Sequence, residues 1–199
     1  MPQLANLFLA DEAAPWRQAG FTVVADAVWL GPVGIILGNK STRRAWAFHG
    51  IGAGELDGLE TRPAVHGIAA IDHPNGATGV DHVVIASKDL ERTTTALAEV
   101  DIHLRRTRNL TDGVTQQRFF WAGETILELI GPRTAEIDPG PLSLWGLALV
   151  VDDIERAVTL LGERCTSPKA AVQPGRMICA IRTQELGISL PIALMTPHR

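Results

Sequence analysis

Two residues hold the chemistry that the sequence offers most plainly. His82 lies in Asp81-His82-Val83-Val84-Ile85-Ala86, and Glu128 lies in Ile126-Leu127-Glu128-Leu129-Ile130. Each is an ionisable group inside an apolar run with the look of a strand. An isolated charge is costly to bury, so a carboxylate there needs a partner, a metal or water. Side chains alternate faces along a strand. Turning Glu128 to solvent would expose Ile126 and Ile130 with it. Turning Leu127 and Leu129 inward instead points Glu128 into a pocket, which is the arrangement expected. A histidine and a carboxylate facing one cavity can bind a metal, act as an acid/base pair near neutral pH, or hold a polar ligand. For His82, an ordinary hydrogen-bonded core histidine is the competing reading.

Further candidates are weaker. Arg176 follows Gln173-Pro174-Gly175 and opens a strand, and Arg118 opens a comparable strand after Gln117. An arginine at a pocket mouth can grip a carboxylate or phosphate through two hydrogen bonds. The simpler expectation for both is a strand-end charge on the surface. Trp145 precedes an apolar strand and reads first as a core aromatic, second as a pocket wall. Gln117 and Gln173 complete the ligand-binding candidates. The clusters Arg43–Arg44 and Arg105–Arg106–Arg108 read as solvated strand edges or loops.

Several chemistries are absent. The chain has no tyrosine, and it contains no GxSxG, P-loop or GxGxxG pattern. Gly50-Ile51-Gly52-Ala53-Gly54 lacks a βαβ context and reads as a turn. Cys165 and Cys179 form neither a CxxC nor a zinc pattern. Cys179 reads as a small buried hydrophobe, and the spacing leaves a disulfide open. The net charge of −4 gives no electrostatic reason to bind nucleic acid or an anionic membrane. The N-terminus has no basic segment of a signal peptide, and no apolar run has membrane-spanning length. The expected location is the cytoplasm.

The elements that would position His82 and Glu128 come from an internal repeat. Residues 81–92 and 145–156 both run from an apolar strand into Asp-Leu/Ile-Glu-Arg and then an Ala/Leu-rich helix. Asp89 and Asp153 are expected N-caps for helices near 89–99 and 153–162. Thr125–Pro132 matches Leu190–Pro197, each an apolar strand ending near a proline. Gln117–Ala122 and Arg176–Arg182 precede them through short glycine-containing links. Ile102–Arg108 adds a strand to the first unit, and 164–172 is less strand-like. The expected class is α+β: tandem βαβββ units at 76–133 and 142–199, separated by Pro139-Gly140-Pro141. Residues 1–75 read as a degenerate βαβββ-like segment plus a connector over 52–75. In it, Leu4–Ala10, Phe21–Ala25, Val28–Leu30 and Val33–Gly38 are expected strands, Asp11 caps a helix, and Ala45–Gly50 is a strand without counterpart.

The tandem βαβββ pattern from Gly79 to Pro197 resembles the vicinal-oxygen-chelate superfamily, which includes glyoxalase I, bleomycin-resistance proteins, fosfomycin-resistance enzymes and extradiol dioxygenases. His73-Pro74-Asn75-Gly76, Leu144-Trp145-Gly146-Leu147 and Val172-Gln173-Pro174-Gly175-Arg176 are similar to bacterial glyoxalase-like proteins of unassigned activity. The resemblance implies a curved half-open barrel with a small-molecule pocket between units. It also implies a divalent metal (Zn, Mn, Fe, Ni or Mg) held by first-strand and last-strand side chains. His82 and Glu128 fall at two such positions, while Gly146 and Ala193 stand at the other two. A third ligand would have to come from His49, His66 or His73. The implied function is either isomerase- or lyase-type proton transfer or metal-free sequestration of a small molecule. A homodimer is implied by analogy only.

Overall fold

The computed structural model describes residues 1–39, 43–67 and 71–198. Positions 68–70 of the expected connector therefore lie outside the described residues. The chain opens with β1 (Gln3–Phe8), helix α1 (Ala13–Gln18), β2 (Ala27–Leu30) and β3 (Val33–Ile36). Phe21–Ala25 is not a strand: only Val24 bridges Ala27, around Ala25 and Asp26 at positive φ. Next come β4 (Ala45–His49) and a hairpin of β5 (Gly54–Leu56) and β6 (Leu59–Thr61) inside the expected connector. Asp57 and Gly58 turn that hairpin with φ of 52° and 79°. That is the type I′ geometry an Asp-Gly pair favours.

These six strands form one mixed sheet in the order β2-β3-β1-β4-β6-β5. β4 is antiparallel to β1, and β6 is parallel to β4. The segment is therefore more than one shortened unit. It has the plan of two units joined edge to edge, each missing elements.

The second half follows the repeat closely. β7 (Ala77–Ala86) leads to α2 (Leu90–Glu99), whose cap Asp89 accepts the Arg92 N–H at 3.0 Å. Then come β8 (Leu104–Asn109), β9 (Thr115–Ala122) and β10 (Thr125–Pro132). β11 (Ser143–Val151) leads to α3 (Ile154–Leu161), capped in the same way by Asp153 through the Arg156 N–H at 2.9 Å. The unit closes with β12 (Lys169–Ala170), β13 (Met177–Ile181), a short helix α4 (Thr183–Leu186) and β14 (Ile192–Met195). The eight strands form a mixed sheet in the order β12-β13-β14-β11-β7-β10-β9-β8. β7 and β11 pair antiparallel at its centre, as β1 and β4 do in the first sheet.

Alternation assigns the faces of the larger sheet. Val83, Ile85, Leu127, Leu129 and Phe120 are fully buried on the side covered by helices. His82, Val84, Ile126, Glu128, Ile130 and Phe119 alternate with them and are partly exposed. One apolar cluster runs from Trp16, Trp46 and Phe48 of the first half to Phe120, Leu127 and Leu194 of the second. Polar ties also join the halves. The Asp57 carboxylate pairs with Arg92 at 2.5 Å, and Asp11 accepts the Ser189 N–H at 3.1 Å. No helix among the described residues is long and apolar enough to cross a membrane.

Candidate functional site

The site is assembled on the open face of the eight-stranded sheet by strand register. β7 and β10 run parallel with His82 opposite Ile126 and Val84 opposite Glu128. His82 and Glu128 are thus diagonal neighbours on one face, and His82 Nε2 lies 3.5 Å from Glu128 Oε2. Both are mostly buried, with 15% and 14% of their side chains exposed. On its other side the imidazole is held by Asp81 Oδ2, 2.9 Å from Nδ1.

Adjacent strand residues normally face opposite ways, so the Asp81–His82 contact needs an irregularity. Val80 pairs with Leu149 and His82 with Ala148, leaving Asp81 as an extra residue in the ladder. Such a bulge re-aims a side chain. Asp81 is anchored in turn by Arg176, at 2.5 Å. The Arg176 guanidinium also donates to the Thr196 carbonyl at 2.7 Å and to His198 Nε2 at 3.0 Å. Only 2% of the Arg176 side chain is exposed. The expectation of a surface strand-end charge, or of a ligand clamp at a pocket mouth, is corrected: Arg176 is a buried anchor for Asp81.

The electrostatics define where protons sit. Burial alone would raise the Asp81 pKa, but hydrogen bonds from His82 and Arg176, with their charges, overcome it and hold the carboxyl at about 2. Asp81 is therefore an anion near neutral pH and fixes a proton on His82 Nδ1. Glu128 behaves oppositely. Its burial pushes its pKa up, and the charges of His82 and Arg108 and a hydrogen bond from Gln117 only partly offset this. His82 Nε2 and Glu128 Oε2 face each other at 3.5 Å, close enough for the two groups to act on one substrate.

Gln117 donates to Glu128 Oε1 at 2.5 Å, and its own Oε1 is buried without a hydrogen-bond partner. The remaining candidates fall elsewhere. Arg118 pairs with Leu129 in register and so faces the helices, where it bonds Glu91, Thr94 Oγ1 and the Leu90 carbonyl. It is not at a pocket mouth. Trp145 is the extra residue of a bulge in β11 and is 54% exposed, so it is not a core aromatic. Gln173 lies in the turn before Arg176, whose N–H its carbonyl accepts. Asp81 had no signal in the sequence pattern, because the bulge that turns it is a property of the pairing.

The expected histidine sources of a third metal ligand are engaged away from His82. His73 accepts the Thr22 N–H at Nδ1 and donates from Nε2 to the Trp29 carbonyl, and burial holds its pKa below the ordinary value. It is a neutral clasp between connector and first sheet. His49 and His66 stack on each other at 5.5 Å. Gly146 and Ala193, at the other two implied ligand positions, have no donor side chain. Among the described residues no group of three or more His, Cys, Asp and Glu side chains is arranged to hold a metal. His82 Nε2 and Glu128 could contact a divalent ion, but the set falls short of the three protein ligands such sites use. Cys165 and Cys179 are buried free thiols.

A cleft of about 740 Å³ lies apart from this cluster, lined by Arg44, Leu59, Glu60, Leu142 and Leu144 among others. Of its charged residues, Arg44 donates to the Leu144 and Ser189 carbonyls, and Glu60 pairs with Arg62. It offers no comparable set of proton-transfer groups.

No protein-family model and no curated protein sequence matches the chain. Solved structures do resemble it. Methylmalonyl-CoA epimerase from Mycobacterium tuberculosis aligns with 62% of this chain and 91% of its own, at 20% identity and a TM-score of 0.49. A hypothetical protein from Bacillus halodurans C-125 aligns with 60% and 94%, at 15% identity and 0.46. A Streptomyces coelicolor methylmalonyl-CoA epimerase variant in complex with 2-nitronate-propionyl-CoA aligns with 60% and 97%, at 17% identity and 0.46. The likeness concerns the path of the chain and leaves its chemistry to the residues described above.

Proposed function

We propose that the open face around His82 and Glu128 binds a small oxygenated molecule and moves a proton on it, as an isomerase- or lyase-type reaction requires. The observation that carries this reading is the Nε2–Oε2 separation of 3.5 Å between His82 and Glu128, with His82 held from behind by Asp81 and Arg176. A fixed tautomer and orientation is what a general acid/base needs. In the reaction, the base form of the couple takes a proton from carbon next to a carbonyl. The C–H electrons become the C=C bond of the enolate, and the same couple returns the proton to a neighbouring atom. Both groups stand on one wall, so the geometry favours transfer along one face of the substrate. Inversion at a carbon would call for groups on both sides.

No step is routed through a metal, given the short donor set. The narrower kinship with glyoxalase-like proteins of the vicinal-oxygen-chelate superfamily is part of this proposal, as are a cytoplasmic location and a homodimer. A second reading, metal-free sequestration, draws on Gly146 and Ala193 at the companion positions.

The test is deuterium incorporation from D₂O at the acidic carbon of lactaldehyde, glyceraldehyde, methylglyoxal hemithioacetal and methylmalonyl-CoA, followed by NMR. Exchange catalysed by the parent protein and lost in His82→Ala and Glu128→Gln is the expected result. Binding of these compounds with no exchange, unaltered by either substitution, favours sequestration and rejects the couple as catalytic.

A further inference from the structure

The arginine-rich strand β8 is the exposed sheet edge that was expected, and its register adds a second feature. Arg106 pairs with Phe119, and Phe119 pairs with Glu128. Arg108 pairs with Gln117, which neighbours Glu128 and bonds it. Residues paired directly across strands share a face. Arg106 and Arg108 therefore stand on the open face with His82 and Glu128, while Arg105 is the extra residue of a bulge. Arg108 is partly buried, and its charge acts on Glu128. Arg44, Arg62, Arg92, Arg118 and Arg176 all have carbonyl or carboxylate partners. Among the described residues Arg106 and Arg108 have neither a hydrogen bond nor a close ion pair of their own. Beside them lies the buried Gln117 Oε1, an acceptor with no donor.

We infer that Arg106 and Arg108 form the anion-binding end of the same site, and that its ligand is a compact carboxylate or phosphate with a hydroxyl on the adjoining carbon. This rests on the proposed site and names its substrate class. Arg106 is exposed and Arg108 partly desolvated, neither holds a hydrogen bond among the described residues, and the planar fork of a guanidinium suits a carboxylate or phosphate. The hydroxyl supplies the donor that Gln117 Oε1 lacks. Two strand spacings separate β8 from β10, roughly 10 Å between backbones. An extended arginine side chain is long enough to span much of that distance, which would set the anion only a few bonds from the acidic carbon. A 2-hydroxy acid or a phosphorylated hydroxyaldehyde has this shape.

The test uses lactate, lactamide and inorganic phosphate as probes, with binding read from arginine Nε–H resonances and calorimetry. Lactate and lactamide differ mainly in the charge at one end. Lactate is expected to bind with salt-sensitive affinity, and lactamide at least about tenfold more weakly. Arg108→Gln and the Arg106→Gln/Arg108→Gln pair should each weaken lactate by about tenfold or more, with the circular dichroism unchanged. Displacement of lactate by phosphate points to a phosphate ester as the ligand, and failure to displace points to a carboxylate. Equal affinity for lactate and lactamide, no lactate binding at all, or full binding in the double variant overturns the inference. Arginine-dependent binding without deuterium exchange on any compound would leave the anion site standing and remove only the proton-transfer reading.

Discussion

The chain contains two sheets with one plan and opposite fates. In both, two first strands pair antiparallel at the centre and each last strand runs parallel beside its own first strand. Both also carry a bulge at the same point. In β7 the extra residue is Asp81, followed by His82 opposite Ala148; in β1 it is Ala5, followed by Asn6 opposite Ala47. The counterpart of His82 is therefore Asn6. The counterpart of Glu128, two residues beyond the one facing it, is Ile36. Asn6 is fully buried, and its amide grips the Val65 N–H at 2.7 Å and carbonyl at 3.2 Å. Residues 62–67 lie over that face, with the Arg62 guanidinium 5.1 Å from the Phe8 ring centre. The first sheet has thus closed its open face with its own chain. The second keeps that face partly exposed and lines it with titratable groups. The plan of the sheet does not decide function; what stands beside the bulge and what covers it do.

The sharpest way to break this contrast is to remove Arg176. Asp81 would remain as a buried anion with one partner fewer, and such losses cost about 3 kcal/mol or more. Arg176→Ala is expected to show that in urea unfolding, and Arg176→Ala with Asp81→Asn should cost less than the sum of the single changes. Additive costs would mean the pair does not act as a unit. A second comparison sets Asn6→Ala against His82→Ala. The first removes the two hydrogen bonds that Asn6 makes to the Val65 backbone and should cost about 2 kcal/mol without touching deuterium exchange. The second should abolish exchange at a smaller stability cost. The reverse pattern would put the working face on the wrong sheet.

A third test is acid. Asp81 falls from an ordinary 3.8 to about 2 on folding. A depressed carboxyl stabilises the fold above its unfolded pKa and loses that contribution as pH falls through the folded value. Stability of about 2 kcal/mol should fade between roughly pH 5 and pH 2 in the parent and be absent in Asp81→Asn. The smallest effect concerns Glu128. Its raised pKa means the folded state holds that proton more tightly, so ionising it at higher pH works against the fold. Glu128→Gln should flatten the decline in stability on the alkaline side of the carboxylate range. A steeper decline would contradict the burial-driven shift. Metal analysis of chelator-free preparations is expected to give well under one ion per chain. One tightly held ion lost in both His82→Ala and Glu128→Gln would instead restore a metal reading.

Much of the second sheet was legible because its signals are local. Asp89 and Asp153 cap helices through first-turn amides, and the alternation in Ile126–Ile130 sets which side of β10 faces the helices. The first sheet was harder to read. Strands β1, β2 and β4 are buried on both faces and so show no alternation, and the Asp57-Gly58 turn lay within a stretch taken for a connector.

For His82 and Glu128, the sequence by itself determined position, since repeat register depends on the order of apolar residues and caps along the chain. It could not determine what surrounds them. Asp81 joins His82 only because a bulge turns it, and Arg176 reaches Asp81 across 95 positions. Arg106 and Arg108 share their face only through two successive strand pairings. Those contacts depend on long-range pairing and on where the ladder slips by one residue. Only the tertiary structure fixes both, and with them the surroundings of His82 and Glu128.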